Sequence, residues 1–326
     1  MAQLSRALIL ASTFALSLTG CANQPFRAAV ARLGTQTDLA MKAQSTELGL
    51  VVAGERTRIR STLADSRASL RFNDECGLAP ATAEESFAPC ALKVFVSSTA
   101  GSTDVATVID VSNITALQDA LASYGANLAL LAGSASDDNR KFAEAATGLA
   151  TSVGKLDGAI TKVAGGDRTV SDANLGIVAS AIAKIAGIVF ALEREHALKE
   201  IIRSTDPFVQ RAITLLDQAD RQNMQILAAQ ATRTAALQMN AYNRAAASPT
   251  SDTATRQAAI NTLFDSVEGI NTLTRRKSQI IPLGRVHSAL ALAASPSATR
   301  KQMALAIEQL IKWNSGQSAA SQSAGE

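Results

Sequence analysis

The stretch NITALQDALASYGANLALL, residues 113–131, decides the fold. Its apolar side chains Ile114, Leu117, Leu121, Tyr124, Leu128 and Leu131 fall at alternating spacings of three and four. That rhythm keeps them on one side of a 3.6-residue helix and matches a coiled-coil seam, with Asn113 placed as N-cap. The same rhythm returns downstream in Phe142, Ala146, Leu149, Val153, Leu156, Ile160 and Val163, and stops at Gly165-Gly166. Glycine there suits the left-handed residue that ends many helices. A third segment carries Leu175, Val178, Ile182, Ile185, Val189 and Leu192 behind Ser171-Asp172. Linkers such as residues 133–138 are short and rich in Gly, Ser and Asp, so successive helices are expected to be antiparallel neighbours.

Further along, Thr205-Asp206-Pro207 predicts a helix start, because a capping side chain precedes a proline at the first helical position. Val209, Ile213, Leu216, Leu227 and Leu237 continue that helix to about Ala246, and Ser248-Pro249 stops it. Asp220, Asn223 and Gln230 interrupt the stripe and turn part of it toward water or a partner. Ile260, Leu263, Val267 and Ile270 seed another helix, and Pro282 and Pro296 stand where short helices begin. Upstream, Leu48, Val52, Ile59 and Leu63 lie on a helix-like stripe running to about Arg71. Segments of about 35 to 40 residues would span roughly 50 to 60 Å. The composition, 47% hydrophobic but only 4% aromatic, suits closely packed helices.

Residues 73–112 break the pattern. Leu92–Ser97 and Asp104–Ile109 are β-branched and read as a hairpin across residues 99–102 or as irregular loop. The expected class is all-α: an elongated antiparallel helical bundle over 37–313 with coiled-coil-like seams. Its insert at 73–112 is a small disulfide-stapled loop or β-hairpin cap, and the Ser/Gln/Ala/Gly tail 314–326 is expected to be disordered.

The N-terminus gives an address. Arg6 precedes an apolar run from Leu8 to Leu18, which is too short to cross a bilayer of about 30 Å and has the order of a secretory leader. Leu18-Thr19-Gly20-Cys21 resembles the lipobox of bacterial lipoproteins. The resemblance implies removal of 1–20, a diacylglycerol on the Cys21 thiol and a third acyl chain on its amine. Two chains already suffice for stable anchoring. Residues 21–36 then form the lipidated N-terminus and a linker. Ala22, where inner-membrane lipoproteins typically carry aspartate, implies an outer-membrane anchor with the body facing the periplasm; inner-membrane retention and surface exposure stay open.

Loss of Arg6 with the leader leaves 30 Lys+Arg against 28 Asp+Glu, a formal +2. That balance argues against nucleic acid as a partner. Cys76 and Cys90 remain as an even pair in an oxidising compartment, where a disulfide is the default. Closing a loop of about 15 residues stabilises by about 3 kcal/mol in the chain-entropy model. The pair has neither the Cys-x-x-Cys spacing of redox centres nor a histidine close enough in sequence for zinc.

Catalytic and metal motifs are incomplete. Glu193-Arg194-Glu195-His196 holds the Glu-x-x-His spacing of di-iron bundles, but the other histidine, His287, has Gly284 three residues before it. Glu193 and His196 are therefore metal candidates weighed against a charged helix end paired through Glu195 and Lys199. Gly148–Lys155 imitates a phosphate loop with five residues between the glycines instead of four, and Leu156 replaces the magnesium-binding hydroxyl. No nucleophile elbow and no plausible Ser/His/Asp order is present. No enzyme activity and no cofactor are expected.

Residues 173–192 form a 20-residue run with one charge, Lys184, and a small-residue stripe of Gly176, Ser180, Ala183 and Gly187. Burial as a central bundle helix with Lys184 snorkelling is weighed against entry into a bilayer, as in helical pore-forming toxins. A central lysine costs about 2.5 to 3.5 kcal/mol on insertion, which favours burial. Arg275-Arg276-Lys277, Arg285 and Arg300-Lys301 read as lipid-phosphate or cell-wall contacts, or as solvated helix faces. The function expected is structural or protein-interacting, in the cell envelope. The alternatives are a membrane-active protein using 173–192 and a metal-binding bundle. The partners expected are the membrane, through the anchor, and an envelope protein or the cell wall; the oligomeric state is left open.

Overall fold

The computed structural model describes residues 24–66, 69–72, 92–95, 102–104, 111–133, 139–165, 180, 191–250, 252–275, 278 and 280–323. These are helical almost throughout, and the chain is all-α in class. The helices are α1 (Gln24–Ser66), α2 (Ser112–Ala132), α3 (Asn139–Val163), α4 (Ala191–Ala247), α5 (Thr253–Arg275), α6 (Ile280–Ala293) and α7 (Arg300–Ser323). Among the described residues none is long and apolar enough to cross a membrane. Cys21, Cys76, Cys90, Gly176, Ala183, Lys184 and Gly187 lie outside the described residues, and Ser180 is helical and exposed.

The chain divides into two compact units, the first of residues 1–41, 119–215 and 279–326 and the second of 42–118 and 216–278. Most of the seam positions read from the sequence are core in the first unit; Leu117 is buried in the second, and Ile114 and Val163 are half-buried. Leu121, Tyr124, Leu128 and Leu131 of α2 are buried, as are Phe142, Ala146, Leu149, Val153, Leu156 and Ile160 of α3. Leu149, Val153 and Leu156 place the phosphate-loop lookalike firmly on α3. That helix ends at Gly165, whose φ of 79° only glycine adopts at no cost. Phe26, Val30 and Leu33 of α1, Ile201, Ile202, Phe208 and Val209 of α4, and Leu283, Val286 and Leu290 of α6 complete the core. Where α1 meets α2, Gly34 faces Gly125: a Cβ on Gly34 would stand 2.4 Å from the Gly125 carbonyl oxygen and 2.6 Å from the Ala129 nitrogen. The two backbones touch because neither residue has a side chain.

Several boundaries differ from the sequence reading. The helix expected to begin at Thr205-Asp206-Pro207 has no start there, since α4 runs unbroken from Ala191 with Pro207 inside it. A mid-helix proline costs about 3 kcal/mol. Ile201, Ile202, Phe208 and Val209, all fully buried on both sides of it, are each worth about 1.5 to 3 kcal/mol, so tertiary burial outweighs the local signal. Thr205 Oγ1 does not cap; it donates back to the Ile201 carbonyl at 2.8 Å. The linker expected over 21–36 is instead helical from Gln24, with Phe26, Ala29, Val30 and Leu33 buried. The tail expected to be disordered from 314 continues α7 to Ser323.

In the second unit the buried apolar side chains among the described residues are Leu48, Val51, Leu117, Leu216 and Ala235. A three-stranded antiparallel sheet of order β1-β2-β3 also belongs to it, with β1 Ser69–Phe72, β2 Leu92–Phe95 and β3 Ser102–Asp104. The hairpin pairs Lys93 with Asp104 and Phe95 with Ser102, so the second strand starts earlier than the expected 104–109. β1 adds a strand where a helix was expected to reach Arg71; Leu70 and Phe72 alternate with Ser69 and Arg71 at the strand period of two.

Candidate functional site

Two features of the first unit bring chemistry-bearing side chains together. The first is a buried relay. On α4, Asp206 follows Thr205, and α6 carries His287 and Ser288. His287 Nδ1 lies 2.8 Å from Asp206 Oδ1, and His287 Nε2 lies 2.9 Å from the Tyr124 hydroxyl of α2. That hydroxyl is 2.8 Å from Thr205 Oγ1. Ser288 Oγ donates to both Asp206 oxygens at 3.1 and 3.2 Å. Gln210 Nε2 donates to Asp206 Oδ1 at 3.0 Å and to the Gly284 carbonyl at 2.9 Å. Burial pushes the Asp206 carboxyl up, but the bonds and charge from His287, with Gln210 and Ser288, hold it below its ordinary range.

With Asp206 ionised, His287 donates Nδ1–H to it. The hydroxyl chain then closes in one of two ways. If Thr205 donates to Ile201, Tyr124 donates to Thr205 and must accept from a protonated Nε2; if Tyr124 donates to Nε2, His287 is neutral and Thr205 turns its hydrogen to Tyr124. An Asp–His couple beside a hydroxyl is the constellation of nucleophilic hydrolases. Here the hydroxyls belong to Tyr124, 1% exposed, and Thr205, 0% exposed. Burial also raises the Tyr124 phenol far above its ordinary value, so it stays protonated. The relay therefore fastens α2, α4 and α6 together. Sequence reading missed it because its members are 81 and 163 residues apart. The available signal was a lone histidine on the apolar stripe Leu283, Val286, Leu290.

The second feature is a groove of about 810 Å³ beside Pro25. Its α4 wall carries His196, Lys199, Glu200 and Arg203, one helical face at spacings of three and four; its α7 wall carries Arg300, Met303 and Ile307. A capping box opens α7: the Thr299 amide donates to Gln302 Oε1 at 2.7 Å, and the Gln302 amide to Thr299 Oγ1 at 3.3 Å. Lys199 meets Glu195 at 2.6 Å and stands 5.5 Å from the Phe26 ring centre, so this cation is matched. His196 is exposed among cations, a setting that disfavours a metal ion, and no group of three or more His, Cys, Asp or Glu suited to a metal occurs among the described residues.

The polar positions expected to form an open face lie in the second unit. Asp220 is buried, and with Asn223, Gln44 and Gln118 it lines a cavity of about 10 Å³. Gln230 donates to Glu55 at 3.1 Å, at the edge of a groove of about 650 Å³. The hydrogen bond from Arg58 holds the Glu55 carboxyl below its ordinary value, against burial. Among its exposed side chains are four large apolar ones: Leu237, Met239, Phe264 and Val267 are 60, 50, 71 and 45% exposed. No family model, no curated protein and no solved structure matches the chain.

Proposed function

We propose that this chain is a lipid-anchored helical protein of the cell envelope, held at the outer membrane with its body in the periplasm, where it has a structural or protein-interaction role. The observation that carries the reading is the junction between anchor and body. The lipobox cysteine, Cys21, stands three residues before the first turn of α1, and Phe26, two residues into that helix, is already buried. An acylated Cys21 would therefore hold a packed helix, with almost no slack, at the membrane surface.

The interaction role draws on the second unit. Exposed large apolar side chains can mark an interaction site, and Phe264 and Val267, three residues apart on one face of α5, with Leu237 on α4, are the ones this reading draws on. The partner is an envelope protein rather than the cell wall, whose polar polymer offers such side chains little to bury. The disulfide belongs to the same proposal: Phe72 pairs with Leu92, so the segment holding Cys76 and Cys90 leaves and returns at adjacent points of the sheet.

Crosslinking from position 264 in intact cells tests the role. A discrete adduct with an envelope protein is expected, lost in Phe264→Asp and Leu237→Asp variants that keep the parent Tm. An adduct pattern indifferent to both substitutions would overturn it.

A further inference from the structure

We infer that the groove beside Pro25 docks on anionic phospholipid headgroups, with Arg203 and Arg300 taking the lipid phosphates, so that the body is held against the bilayer in one orientation. The inference rests on the lipid-anchor reading.

Reach comes first. Pro25 lies four positions after Cys21, a span of at most about 14 Å even when fully extended. A groove lined by Pro25 is thus within headgroup distance of whatever leaflet holds the acyl chains. Charge comes second. Lys199 is matched by Glu195, and Glu200 offsets one of Arg203 and Arg300, both exposed, so the rim of the groove keeps one net positive charge. Guanidinium forks suit phosphate oxygens bidentately. Exposed Lys301 adds to the same rim, and the positive end of the α7 dipole points the same way. Met303 and Ile307 make part of the α7 wall apolar, which suits the glycerol and upper acyl region of a lipid better than a fully hydrated ion. Tethering selects among anionic ligands: an acylated Cys21 keeps lipid phosphates at high effective concentration beside the groove, an advantage no soluble phosphate or peptide shares.

The test uses the processed body without Cys21, residues 22–326. Every described element lies within 24–323 and is kept. Vesicles of phosphatidylcholine alone are compared with vesicles containing phosphatidylglycerol, by co-sedimentation. Binding is expected to the second only, to be released by high salt, and to weaken about tenfold or more in Arg203→Glu/Arg300→Glu. Arg140→Glu, the same kind of substitution at one exposed site of α3, is expected to leave it unaltered, while each of Arg203→Glu and Arg300→Glu alone weakens it, and circular dichroism checks that all variants fold. Equal binding to both vesicles, no binding to either, equal loss in Arg140→Glu, or full competition by inorganic phosphate would overturn the inference. The mass of the membrane-extracted protein is a separate readout: acylation without anionic preference sinks the groove and keeps the anchor, and the reverse sinks the anchor alone.

Discussion

At the scale of single residues the relay is the costliest feature to disturb. Tyr124→Phe removes the hydroxyl that serves both Thr205 and His287; Thr205 keeps its bond to Ile201, but His287 Nε2 is left buried without a partner. A loss of about 1 to 3 kcal/mol in urea unfolding is expected, and an unchanged midpoint would contradict the latch. Asp206 sets an acid limb. Its carboxyl is held below its ordinary value near 3.8, so the stability it contributes is present above that pH and is lost as pH falls through the lower folded value. Asp206→Asn should cost stability at neutral pH and flatten the fall below about pH 4; parallel acid limbs in both proteins would refute the assignment. None of this was legible in the sequence, where Thr205 and Asp206 imitate a helix cap and Tyr124 is one more seam residue.

At the scale of elements, periodicity was a faithful guide wherever one face of a helix is buried. The α2 and α3 seams are core at every named position except their outermost ones, Ile114 and Val163, which are half-buried, because a 3.6-residue repeat hides its apolar stripe on one face. It failed where tertiary contacts overrule local chemistry, at Pro207, and where small residues carry the packing, at Gly34 and Gly125. Gly34→Ala drives a methyl into the Gly125 and Ala129 backbone and is expected to cost about 1 to 3 kcal/mol or more. Gly154→Ala, on exposed α3 surface with nothing within 4 Å of the new methyl, is expected to gain about 0.5 to 1 kcal/mol. Opposite signs in one thermal-unfolding experiment are the outcome the helix crossing requires; two neutral variants would contradict it. The groove was illegible for a different reason. Its cations come from α4 and α7, about a hundred residues apart, and only Arg300-Lys301 stood out along the chain.

At the scale of the whole molecule, the proposal joins an address to a body. The sheet pairs Phe72 with Leu92, which flank the segment holding Cys76 and Cys90, so the proposed disulfide is expected to leave no alkylatable thiol at either position before reduction; free thiols in protein taken directly from the envelope would rule it out. The most direct measurement is the intact mass of the protein extracted from membranes, with fragmentation of its N-terminal peptide. The account predicts a chain beginning at Cys21 that carries a thioether-linked diacylglycerol and an amide-linked acyl chain. A chain that begins elsewhere, or a Cys21 thiol that is free, would contradict it.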